Sequence, residues 1–112
     1  MNVDNIRITE SRSGHTIIQV YKNGQNSILL FGGANRRITR EFIDDVLSQF
    51  DKSDVIVLQN EINMLDVIID NAYDKGMTIV LNPSPYDDAL ESCDFNKVSL
   101  MLLNEIEGEQ IC

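Results

Sequence analysis

The sequence predicts an α/β fold: a β-hairpin followed by a small three-stranded parallel sheet with helices between its strands. Three observations predict it. The apolar pattern changes from period two to helical spacing near residue 36. Asn23-Gly24 separates two strand-like runs. Apolar runs rich in β-branched residues then alternate with amphipathic stripes.

In the first part, Ile6 and Ile8 alternate with polar neighbours and read as a strand. The stretch over 15–21 is a second strand and 26–31 a third. Asn23 and Gly24 both tolerate positive φ and are expected to turn one into the next. Gly32-Gly33 ends the pattern; with Ala34 and Asn35 it reads as a tight turn rather than an anion nest.

In the second part, Thr39 is placed to cap a helix over 40–50, whose stripe is Ile43, Val46, Leu47 and Phe50. Val55 to Leu58 is wholly apolar and suits a strand covered on both faces. Asn63 is expected to cap a second helix with the stripe Leu65, Ile68, Ile69 and Ala72, closed by Gly76. Met77 to Leu81 is the next strand. A weak acidic helix is expected near 87–92, a third strand over 98–103, and a helix near 105.

The chain of 112 residues is long enough for one domain. Its net charge of −9 argues against nucleic acid or an anionic membrane as partner. No apolar run is long enough to span a bilayer, and no signal peptide is visible after Met1. Cys93 and Cys112 lack metal-ligand spacing and read as free thiols of a reducing cytosol, so the expected location is cytoplasmic. His15, the one histidine, has no nucleophile at suggestive spacing and reads as structural. There is no Gly-x-x-x-x-Gly-Lys-Ser/Thr and no Gly-x-Gly-x-x-Gly, which excludes a P-loop and a dinucleotide fingerprint.

Ligands of open parallel α/β sheets bind at the carboxyl ends of the strands. Those ends here are Gln59-Asn60-Glu61, Asn82-Pro83-Ser84-Pro85 and Asn104-Glu105-Ile106-Glu107. All carry groups suited to hydroxyls, phosphate oxygens or hydrated Mg²⁺. Each could equally be a turn former or a helix cap.

Four segments in order, GHTIIQVYKNGQNSILLFGGAN, VIVLQNEI, TIVLNPSP and LLNEIEGEQIC, resemble ribokinase and its relatives among the PfkB carbohydrate kinases. The resemblance covers nearly the whole chain. It implies a partial ribokinase-like fold, with 1–35 as lid strands and 36–112 as part of the α/β core. It implies phosphoryl transfer from ATP, with Mg²⁺, to a ribose-like sugar, and a homodimer through the lid strands. By resemblance Glu61 hydrogen-bonds the sugar, Thr16, Ile18 and Ile28 face it from the lid, and Asn104 and Glu107 act near the nucleotide phosphates and Mg²⁺. No residue here is implied as a direct metal ligand.

The resembling segments include neither the family's opening strand with its Asn-x-Asp sugar clamp nor its Gly-Ala-Gly-Asp motif with catalytic base and anion hole. The chain alone is therefore expected to be inactive. The alternative is a non-catalytic binding or interaction module derived from that fold. A receiver-like domain is disfavoured, because its acidic pair and late Lys cannot be placed.

Overall fold

The computed structural model describes residues 2–84 and 86–105. It has two sheets. The strands β1 (His15–Val20) and β2 (Asn26–Phe31) form an antiparallel hairpin in which Thr16 faces Leu30 and Ile18 faces Ile28. The strands β3 (Val55–Gln59), β4 (Thr78–Asn82) and β5 (Leu100–Met101) form a parallel sheet in that order. Helix α1 (Arg40–Leu47) precedes β3, and α2 (Leu65–Asp74) crosses over from β3 to β4. The Cα radius of gyration is 15.6 Å, against roughly 13 Å for a compact domain of this length. No helix among the described residues is long and apolar enough to cross a membrane.

The hairpin turn differs from the expected dipeptide. Gly24 N–H donates to Tyr21 O, Tyr21 N–H donates to Gln25 O, and only Gly24 has positive φ, at 84°. The loop is therefore the three-residue Lys22-Asn23-Gly24, with glycine in the left-handed position that opens a bulge. Asn23 instead accepts Gln25 N–H through Oδ1.

Ile6 and Ile8 form no strand, and Ile8 is 99% exposed. Alternation supplies one face of a strand, but a strand also needs a neighbour for its N–H and C=O groups. The segment is held by its polar residues instead. Arg7 pairs with Asp45 and lies over the Phe42 ring, while Gln49 Nε2 donates to Asn5 Oδ1.

Thr39 caps α1 as expected, accepting Phe42 N–H at 3.2 Å. The helix ends at Leu47, so Phe50 falls outside it and is exposed. Asn63 is not the cap of α2. That position is Met64, at φ 59°, with no side-chain cap. Asn63 instead grips the Ile38 backbone, accepting its N–H and donating to its C=O, both at 2.8 Å. This ties the start of α1 to the start of α2. Asn63→Ala is expected to cost about 1–3 kcal/mol, because it leaves two part-buried backbone groups unpaired. Urea unfolding followed by circular dichroism should show that loss with unchanged native helix content; fraying of α2 would restore the capping role.

Gly76 closes α2. Its N–H donates to Tyr73 O and Met77 N–H reaches back to Ala72 O, the paired bonds of a Schellman motif. The expected 87–92 helix is a 3-10 turn over Asp88–Ser92, capped by Asp87. The pairing of β5 extends past its two residues, through Ser99 N–H to Ile79 O and Leu102 N–H to Leu81 O.

The core lies on one face of the parallel sheet. Ile43 and Leu47 of α1 and Leu65, Ile68, Ile69 and Ala72 of α2 pack against Leu58, Ile79 and Leu81. The other face is open: Val57 is 72% exposed. The expectation that Val55 to Leu58 is covered on both faces is therefore not met by the described residues. A run of consecutive apolar residues fits two covered faces, but cannot say whether the second layer is present in the same stretch of chain.

Candidate functional site

The hairpin and the end of β3 enclose a cleft of about 330 Å³. Thr16 and Leu30 contribute from facing positions on the two hairpin strands, and Glu61 contributes from the loop after β3. Gly14, His15, Phe31, Gly32, Asn35 and Arg36 complete the lining. The Gly32 to Asn35 turn sets the distance between the two halves. A Cβ on Gly33, which has φ 53°, would lie 2.2 Å from Arg12 O. Gly33–Arg36 forms a 3-10 turn, and two of the segment's amides are taken by backbone, Ala34 N–H by Arg12 O and Asn35 N–H by Gly32 O. That supports the tight-turn reading of this segment over an anion nest.

Glu61 is exposed, and among the described residues its carboxylate makes no ion pair. Its neighbours are held. Asn60 is fully buried and donates through Nδ2 to Asp87 Oδ1 at 3.0 Å. Arg36 Nη1 donates to Ile62 O at 3.2 Å, and Nη2 to Asn60 O at 3.4 Å. The cleft thus offers a carboxylate acceptor and a threonine hydroxyl beside an apolar wall, a combination suited to a small polyhydroxyl ligand.

Ile18 and Ile28 pair with each other on the same face as Thr16 and Leu30, one step further out, and do not line this cleft. Asn104 lies elsewhere. With Asn82, Ser84, Met101, Leu102 and Leu103 it lines a shallower cleft at the carboxyl ends of β4 and β5. Asn82 Oδ1 accepts Ser84 N–H there. Its amide and hydroxyl groups suit phosphate oxygens. Glu107 lies outside the described residues. Among the described residues no three His, Cys, Asp or Glu side chains converge to hold a metal ion.

Sequence reasoning passed over Arg36, Asn35 and His15 as parts of this cleft. His15 packs its ring 4.8 Å from that of Phe31. The one signal for Arg36 was a cation placed directly after the Gly-Gly turn in an acidic chain.

Cys93 belongs to neither cleft. Burial, with the carboxylates of Asp66, Asp70 and Asp87, pushes its thiol up to about 11. A thiol with a raised folded pKa lends stability that is complete below the unfolded value and is lost as pH rises through the folded one. Here the window runs from 9.0 to about 11. In a Cys112→Ser background, Cys93 should react with iodoacetamide at pH 7.5 roughly 100-fold more slowly than an unshifted thiol. A rate matching free cysteine would show that this environment is absent in solution.

No family model matches the chain. Curated relatives and solved structures do. The ribokinase of Staphylococcus aureus is 32% identical over 106 residues, which are 93% of this chain and 34% of that enzyme. The structure of a Thermotoga maritima ribokinase superposes with a TM-score of 0.71 at 30% identity, covering 95% of this chain and 34% of that one. The Cryptococcus neoformans ribokinase, solved in complex with ADP, gives 0.72 at 25% identity over 93% of this chain and 34% of its own. The α/β architecture, antiparallel hairpin beside three parallel strands, is thus that of about a third of a ribokinase fold. Over about nine-tenths of its length this chain is homologous to ribokinases, of which it spans about a third.

Proposed function

We propose that this chain is the sugar-facing segment of an ATP-dependent sugar kinase acting on a ribose-like substrate in the cytoplasm. The observation that carries the reading is the cleft between hairpin and sheet, lined by both Glu61 and Thr16 beside Leu30 and Phe31. Glu61 accepts a hydrogen bond from a sugar hydroxyl. Thr16, with Ile18 and Ile28 further out, belongs to a lid over residues 1–35 that closes on the sugar, and 36–112 belong to the catalytic core. The hairpin also supplies the surface through which two copies pair.

The nucleotide belongs at the other cleft. Asn82, Ser84 and Asn104 offer neutral donors and acceptors that fit phosphate oxygens. Asn104, with Glu107, holds the phosphates, and Mg²⁺ arrives with the nucleotide rather than in a protein cage. ATP supplies the phosphoryl group; these residues orient it and exclude water. A polypeptide of these 112 residues alone carries neither the base nor the anion hole the reaction needs, and is expected to show no turnover. Losing groups of that kind costs about 3–4 kcal/mol each in other enzymes.

One observation favours the second reading, an interaction module: the open sheet face, where Val55 and Val57 are 59% and 72% exposed. A single experiment separates the two. The matched third of the Thermotoga maritima ribokinase is replaced by this chain, and ribose phosphorylation is assayed with ATP and Mg²⁺. The kinase reading expects turnover by the graft and none by the 112-residue polypeptide. A folded graft that binds neither ribose nor ATP would sink it in favour of the module.

A further inference from the structure

We infer that Arg36 is a positioning residue for Glu61: its guanidinium ties together the backbone on both sides of Glu61 and fixes where the carboxylate enters the cleft. The inference rests on the sugar-site reading of Glu61 given above.

Glu61 follows β3, beyond the last paired residue Gln59. A strand-end loop of this kind has no ladder to hold it. Asn60 N–H still bonds Asn82 O, but at 3.3 Å, and the carbonyls of Asn60 and Ile62 lie beyond the paired register of β3. Arg36 meets both, at 3.4 and 3.2 Å. Only a planar fork with several N–H groups spans two such acceptors while keeping one fixed orientation. Arg36 is half-buried, so the bonds are shielded from competing water.

The path of the arginine is itself built in. A Cβ on Gly32 would lie 2.3 Å from Arg36 Cγ. Glycine at 32 therefore clears the stem of Arg36, which crosses from the hairpin turn to the β3 loop. Residues 32 and 36 thus link the hairpin, which carries Thr16, to the loop that carries Glu61. Arg36 fixes the relative placement of the two polar groups on opposite walls of the cleft.

The test has two arms. In the 112-residue chain, ¹⁵N relaxation reports the order of residues 60–62. Arg36→Met and Gly32→Ala should each lower it, while the core around Ile79 keeps its order. Unchanged order at 60–62 in both variants overturns the inference. In the ribokinase graft, Arg36→Met should raise the sugar KM about fivefold or more, with kcat and the ATP KM unchanged, since misplacing a binding group by a fraction of an ångström acts through binding geometry. Arg36→Lys, which keeps the charge but not the fork, should recover only part of the loss; full recovery would mean that charge alone acts and would overturn the inference. Combining Arg36→Met with Glu61→Gln should raise KM little beyond Glu61→Gln alone. Full additivity would show that Arg36 works independently of Glu61. If Glu61→Gln alone leaves KM unchanged, the sugar-site reading fails, and the relaxation arm still decides whether Arg36 orders the loop.

Discussion

Replacing Glu61 with alanine in the ribokinase graft is expected to raise the KM for ribose roughly 10- to 150-fold while kcat changes little. The change removes one charge-assisted hydrogen bond, of about 1.5–3 kcal/mol. The carboxylate is exposed and lies in the cleft with no ion pair among the described residues, so no internal partner has to be broken before it meets a hydroxyl. Its removal should leave the melting temperature almost untouched, because surface substitutions shift stability by about 0.5 kcal/mol or less. Asn104→Ala, in the other cleft, should lower kcat instead, since contacts to the transferring phosphoryl group strengthen in the transition state. Steady-state kinetics over both substrates, with melting curves, check the split. A Glu61→Ala variant that melts early but keeps both kinetic constants would reduce Glu61 to a turn residue.

The second large effect concerns the one-sided sheet. Ile79→Ala is expected to destabilise the chain by about 2–5 kcal/mol, whereas Val57→Ala should cost about 1 kcal/mol or less. The side chains differ by one methylene, and both sit mid-strand in neighbouring strands. Ile79 is 0% exposed beneath the two helices and Val57 is 72% exposed on the opposite face. A domain of ordinary stability holds only about 5–15 kcal/mol in all, so Ile79→Ala should visibly lower the urea midpoint of the 112-residue chain. Equal losses at the two positions would show that the open face is covered in solution, by a second copy or by another layer.

By itself the sequence determined the periodic elements and the family resemblance. The hairpin strands, α1 with its Thr39 cap, the stripe of α2 and the strands β3 and β4 all stand within a few residues of where hydrophobic spacing placed them. These are local decisions: a period of two or 3.6 and a capping hydroxyl need only neighbours in sequence. The carboxyl-edge rule also picks out the Glu61 loop and Asn104, and both line clefts.

What only the tertiary structure decided depends on partners distant in sequence. Ile6 and Ile8 had the alternation of a strand but no strand to pair with. Asn63 looked like a cap, yet its amide binds Ile38, which is 25 residues away. The residues Val55 to Leu58 looked doubly buried, but burial of a strand is set by how many layers surround it, not by its own composition. For Arg36 the sequence offered only a cation directly after the Gly-Gly turn, with nothing to say what it meets. Its role exists only because the turn at Gly32 carries its stem across to two carbonyls just past the paired end of β3. Spacing along the chain encodes which face a residue takes; which atoms meet across that face is encoded only once the elements have packed.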